Sequence, residues 1–426
     1  DPHQDPHPNP LPKGEGRTAQ DSGLSSSPTG RGVRGEGGFD VVIGNPPYGA
    51  AFTEQEGIYF SNHFETFSAI KDLYTCFMEK CLQIIATNGK FGYIVPSAWI
   101  SGPNYESIRK VIVTYQIDKL VLLPFDIFAD AYIDTLIFVV TKANPKNEHG
   151  VSTFVYPKRE KITSIQLEGS YKKVVQSFWR ENDNFKFILD PDALKIFRKL
   201  RVSSLRTFSD VCEIKRGVLF NNALLSETQK KPTYFPYFGG DVYRYILNMK
   251  INGWIEFNDK LKERPKEFIW FEKDRILLRR LVNRQQRLMA SMAKETFITN
   301  KNLYSILARN EVDLRLILGI LNSKIISYLY IKQITQAVKD DFPQVTIKDI
   351  LSLPFPSIIS PQYSNRMVAL VENMLALHKR LAAAGSPQEK ELLQRQIAYT
   401  DREIDALVYE LYGLTDEEIR IVEGGA

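Results

Sequence analysis

Apolar residues first gather at Phe39, and from there short runs alternate with helical spacings. The run "FDVVIG" (39–44) stops at Asn-Pro-Pro, which predicts a buried strand of the parallel kind. Leu73, Phe77, Cys81 and Ile84/Ile85 step by three and four, predicting a helix over 71–86. "TNGKFGYIVP" reads as a turn and then a strand at 91–95. Pro103-Asn104 opens a helix over 104–114, with Ile108, Val111 and Ile112 on one face. "IDKLVLL" (117–123) and "IDTLIFVVTK" (133–142) predict two further strands. This order is that of an α/β, doubly wound sheet.

The pattern then changes. Residues 146–190 are mixed and polar and read as a connector. Residues 191–356 hold short β-like runs with many aromatics, the pattern of an α+β domain, and the proline-bracketed "LPFPSIISP" reads as a linker. Beyond it Met367, Leu370, Met374, Leu377 and Leu381 step by three and four. So do Leu393, Ile397, Thr400, Ile404, Leu407 and Leu411, predicting a C-terminal helical hairpin over 357–426. Residues 1–38 hold six prolines, eight glycines and four aliphatic side chains, too few to offset the entropy of ordering, so this leader reads as disordered. "KGEG" at 13–16 recurs as "RGEG" at 34–37, which suggests a translated repetitive element.

Composition narrows the class. Three cysteines without metal or redox spacing, no membrane-length apolar run and no signal-peptide pattern suit the cytoplasm and predict neither a metal site nor a membrane partner. The net charge of +5 conceals an uneven distribution: residues 191–350 carry 29 Lys+Arg against 17 Asp+Glu, while both flanks are mildly acidic. A basic middle segment points to a polyanion. Within it Arg216, Arg244, Arg279, Arg280, Arg284 and Arg287 are candidate contacts to DNA phosphate or guanine, although Arg244 and Asp241 could instead pair within the domain.

The turn after the first strand carries the chemistry. Asn45 offers a side-chain carbonyl, and Pro46, lacking an N–H, leaves its own carbonyl free to face outward. Two acceptors on a stiff turn suit a planar amino group, whose lone pair they free for attack. Tyr48 adds an aromatic face for the ring that bears the amine.

Asn45-Pro46-Pro47-Tyr48 resembles the (N/D/S)PP(Y/F/W) motif of amino-group methyltransferases. The flanking "KDLYTCFMEKCLQIIATNGKFGYIVPSAWI" and "LVLLPFDIFADAYIDTLIFVVTK" are similar to TaqI-type DNA adenine-N6 methyltransferases of restriction–modification systems. "KRGVLFNNALL", "FPYFGGDVYRY", "LNSKIISYLY" and "VYELYGLTDEEI" resemble that family's C-terminal specificity domain. The resemblance covers about residues 39–420. It implies a Rossmann-like sheet, S-adenosylmethionine as methyl donor, and double-stranded DNA as partner with an adenine flipped out of the stack. By the same resemblance Asn45, Pro46, Pro47 and Tyr48 are catalytic, Tyr48 and Phe128 stack on the base, and Asn45, Pro47 and Phe77 lie at the cofactor. Phe128 has a core side chain at a strand end as its alternative, and for Phe77 core packing is the favoured reading.

Complete members place a glycine-rich cofactor loop upstream of this motif. "GEGG" at 35–38 follows no strand and does not supply it. The expectation is therefore only the second half of the methyltransferase sheet (39–145), with the cofactor-loop half missing; expected partners are that N-terminal methyltransferase fragment or a restriction subunit. Two functional classes remain open: an adenine-N6 DNA methyltransferase, and a catalytically incomplete DNA-binding fragment of one. A protein or RNA amine methyltransferase is a third.

Overall fold

Two parallel strands open the sheet. β1 (Phe39–Gly44) pairs with β2 (Ile85–Pro96), and the crossover between them carries α1 (Glu54–His63) and α2 (Leu73–Ile84). In this computed structural model the described residues are 38–67, 71–124, 127–128, 133–157, 170–181, 185–203, 206–283, 285–309, 312–333 and 344–424. α3 (Glu106–Ile112) leads into β3 (Gln116–Leu122). β4 (Thr135–Thr141) then turns back and lies antiparallel between β2 and β3. β5 (Gly150–Val155) runs parallel to β3, and β6 (Lys172–Val175) ends the sheet antiparallel to β5. The order β1-β2-β4-β3-β5-β6 makes β1, β2, β3 and β5 point the same way, so their carboxyl ends share one edge.

The sheet is thus mixed. The stretch taken as a connector contributes β5 and β6 to it, their polar outer residues having hidden a strand period. Its core is aromatic: Trp99 meets Phe138 of β4 edge-on at 5.4 Å, and Trp179 stacks on Phe187 at 4.5 Å. The Trp179 indole N–H donates to the Ile188 carbonyl at 3.0 Å, so its one polar atom is satisfied inside the core.

A second layer follows through α4 (Ser177–Glu181), α5 (Pro191–Ser203), β7 (Arg206–Thr207), α6 (Phe208–Val211) and β8 (Cys212–Arg216). Two short pairs come next. β9 (Tyr234–Phe238) joins β12 (Ile251–Glu256), while β10 (Asp241–Tyr243) joins β11 (Ile246–Asn248). After α7 (Ile269–Glu272), β13 (Arg275–Arg279), β14 (Ala290–Ala293) and β15 (Leu303–Ala308) complete an antiparallel sheet ordered β14-β13-β15-β8. Gly217, just past β8, runs so close to the next segment that an added Cβ would sit 2.2 Å from the Asn300 carbonyl oxygen. No other residue fits there.

The chain ends in helices: α8 (Leu314–Leu321), α9 (Lys324–Lys332), α10 (Ile347–Leu351), the short β16 (Pro354–Phe355), then α11 (Pro361–Ala383), α12 (Pro387–Leu411) and α13 (Asp416–Glu423). α11 and α12 form the expected hairpin, with Met367, Met374, Leu377, Leu393, Ile404 and Leu407 buried. The expected linker is not one. Leu353 and Phe355 are buried, and β16 pairs with β7, so the prolines there end a ladder inside the core. The same hydrophobic cluster runs from α2 to α13 and joins the two layers. Across their junction Lys186 and Asp349 form a buried ion pair at 2.5 Å.

Candidate active site

β1 is the edge strand, and this overturns the expectation of a buried one. Phe39, Val41 and Ile43 are all largely exposed, Ile43 at 80%. α1 buries none of its residues. The apolar run marks a strand correctly, but of its apolar side chains only Val42 packs against the core, while Phe39, Val41 and Ile43, which alternate with it, stay uncovered among the described residues.

The turn leaves this strand at the carboxyl edge, where open α/β sheets bind ligands. Asn45 is exposed, Pro46 buried, Pro47 exposed, and Tyr48 half-buried with its ring against the main core. Pro46 and Tyr48 therefore anchor the loop, while the Asn45 amide reaches outward. Gly49 follows with φ +68°, a left-handed conformation that favours glycine and turns the chain back toward α1. Beyond it Phe52, Phe60 and Phe67 pack as a trio at 5.3–6.1 Å, and the Thr53–Glu56 capping box starts α1.

The next turn is held by Glu79 of α2, which accepts from the Thr66 N–H at 3.0 Å and the Thr66 hydroxyl at 2.8 Å. Phe77, one turn from the start of α2, is 45% exposed, so it is not the core side chain it could have been. Phe128 lies half-buried in the loop after β3. Because β3 and β1 are co-directional, Phe128 and Asn45-Pro46-Pro47-Tyr48 belong to the same edge of the sheet.

Sequence reasoning missed Asp72. This half-buried residue precedes α2 and faces the Gly49 N–H, the Tyr105 hydroxyl and the Tyr74 N–H. Burial, the largest influence, raises its pKa, and these donors pull it partly back. Its Oδ1 is buried with no donor at bonding distance. Tyr74 and Tyr105 behind it are buried, their rings stacked at 6.1 Å. An aspartate before a helix reads as an ordinary N-cap, yet Asp72 caps nothing with its side chain.

The arginine cluster divides. Arg244 makes a bidentate pair with Asp401 of α12, and burial leaves its side chain 20% exposed. Arg287 is buried, donates to the Asn322 carbonyl at 2.7 Å and lies 3.8 Å from Asp405. Both tie the β10–β14 region to the helical hairpin, so in this structure both charges are engaged within the protein. Arg216 is spent on the Lys301 carbonyl and Glu263, at 3.1 and 3.2 Å. Arg279 lies 5.9 Å from the Tyr243 ring, and Arg280 donates to Gln344 at 2.8 Å, both half-buried. Arg284 lies outside the described residues. Exposed lysines of this segment include Lys230, Lys231, Lys250, Lys260, Lys262 and Lys266.

These elements coincide with known segments. Residues 14–128 match the Eco57I restriction-modification methylase family, and residues 235–355 match the TaqI-like C-terminal specificity domain. A protein of Methanocaldococcus jannaschii named as a type II restriction enzyme and methyltransferase is 31% identical over 390 residues, or 88% of this chain. The chain is homologous to type II restriction-modification methyltransferases. The type II methyltransferase M.XhoI of Xanthomonas vasicola is 25% identical over 43% of the chain and 36% of its own length. The chain spans about a third of the length of these curated relatives, 31% in the case of the Methanocaldococcus protein. Among solved structures, the Type IIL restriction-modification enzyme MmeI in complex with DNA matches 90% of this chain and 56% of that one. Its TM-score is 0.56 at 13% identity, a likeness of fold.

Proposed function

We propose that this restriction–modification methyltransferase segment carries the base-binding turn and target recognition of a site-specific DNA methyltransferase acting on adenine N6. The carrying observation is the turn itself: Asn45 outward, Pro46 anchored, Tyr48 braced against the core, all at the carboxyl edge of co-directional strands. Asn45 Oδ1 and the Pro46 carbonyl accept the two N6 hydrogens of an extruded adenine. Drawing both hydrogens out of the ring plane takes the nitrogen lone pair out of conjugation and leaves it available for alkylation. Tyr48 stacks on the base, with Phe128 from the β3 loop on the other side.

S-adenosylmethionine is the donor this reading requires, and when bound it supplies a methyl group on a sulfonium. The exposed Phe77 ring suits its purine, and Asn45 and Pro47 border the methyl-bearing end. The fit is partial, because the described residues contain no Gly-x-Gly-x-x-Gly turn between a strand and a helix. The exposed lysines of the specificity domain take the duplex backbone.

The test is transfer of labelled methyl from S-adenosylmethionine to mixed-sequence duplex DNA by the full chain, with the product base identified by mass spectrometry. N6-methyladenine that disappears in Asn45→Ala is expected. Methylcytosine, or equal activity in the variant, overturns the assignment. A second reading, a DNA-binding fragment without turnover, draws on the exposure of Phe39, Val41 and Ile43 along β1. It predicts salt-sensitive DNA retention with no micromolar binding of S-adenosylmethionine by calorimetry.

A further inference from the structure

Asp72 is a half-buried acidic residue with no role in the scheme above. It sits where the crossover turns into α2, against the loop that carries the reactive turn. Three features single it out. It faces the N–H of Gly49, one residue past Tyr48, at the only point where that loop takes a left-handed conformation before α1. It is backed by Tyr105 and Tyr74, two buried phenols that give it a rigid floor. And its Oδ1 is buried with acceptor capacity unused. A buried acceptor left unfilled is costly unless some state of the protein fills it. Hydrogen bonds around a reactive site are also commonly long before the substrate arrives and tighten once it is bound.

We propose that Asp72 is a positioning residue: its carboxylate holds the Gly49 N–H, with Tyr105 holding the carboxylate, and so fixes the angle at which Asn45 and Tyr48 meet the target base. The proposal rests on the base-binding reading of the turn. Asp72 touches neither base nor donor in it, and acts through the loop backbone.

Hydrogen exchange on the intact chain tests this without requiring turnover. With duplex DNA bound, the peptide containing Gly49 should exchange ~10-fold faster in Asp72→Ala than in the parent chain, the loss of about one hydrogen bond, while the β4 peptide stays protected. Asp72→Asn, which keeps an acceptor, should restore most of the protection. Unchanged Gly49 exchange in Asp72→Ala, or Asp72→Asn exchanging as fast as Asp72→Ala, overturns the proposal. If Asp72→Ala loses β4 protection as well, Tyr105→Phe decides: faster exchange at Gly49 alone supports the brace, and no change overturns it. Where the unmodified chain methylates DNA, Asp72→Ala should lower kcat and leave KM for DNA nearly unchanged, and a change in KM alone counts against the brace. A chain that methylates nothing favours the second reading, without turnover, and the exchange result still decides Asp72.

Discussion

β1 and β4 are near twins in sequence and opposites in setting. "FDVVIG" and "TLIFVVT" are both apolar β-formers, yet β4 lies between β2 and β3 with Leu136, Phe138 and Val140 sealed, while β1 edges the sheet with Phe39, Val41 and Ile43 in solvent. The difference teaches that apolar character states what a strand requires, whereas its place in the ladder decides what it receives. β1 keeps its position through backbone pairing with β2, and β4 through side-chain packing on both faces. The two should therefore respond very unequally to loss of side-chain volume.

Phe138→Ala should give the largest effect, about 4 kcal/mol of stability by denaturant unfolding, because it opens a cavity beneath Trp99, Phe91 and Tyr93. Next comes the tie between the β10–β14 region and the helical hairpin. Asp401→Ala strands the Arg244 guanidinium in a partly buried site and should cost about 3 kcal/mol, with the same slope of DNA affinity against salt. A shallower slope would return Arg244 to the DNA face.

The neighbouring Asp405 should make stability depend on pH. Burial raises its pKa to about 6, against the opposing pull of Arg287 and the Lys324 N–H. The folded state thus binds that proton more tightly than the unfolded one. The contribution is complete below the unfolded carboxyl value and is lost as pH rises through about 6. The expected loss is about 2 kcal/mol between pH 4 and 7, and Asp405→Asn, which keeps an acceptor for the Lys324 N–H at the start of α9, should flatten it in thermal melts. Ile43→Ala should come last, within about 0.5 kcal/mol of the parent. A loss near that of Phe138→Ala would mean that β1 is covered in solution and would erase the contrast with β4.

Local features were legible in the sequence and distant pairings were not. The helices of the hairpin, the strands of the first half-sheet and the Asn-Pro-Pro-Tyr turn each declare themselves within a few residues, since spacing and proline chemistry are short-range. β5 and β6 escaped because their outward residues are polar, and β16 because prolines that end a buried ladder look the same as prolines in a linker. Arg244 could not be assigned from its neighbours, because Asp401 lies 157 residues further on. Asp72 resembles any helix-capping aspartate until Gly49 is seen beside it.

The pair between Arg244 and Asp401 also bears on engineering. A recognition module cut at residue 356 for transfer to another scaffold would carry the arginine and abandon its counter-ion on α12. The smallest portable cassette ends instead beyond α13, where Glu423 still meets Lys324 and Tyr409. Chimeras joined at that later seam should express as soluble protein, and those joined at the earlier one should not.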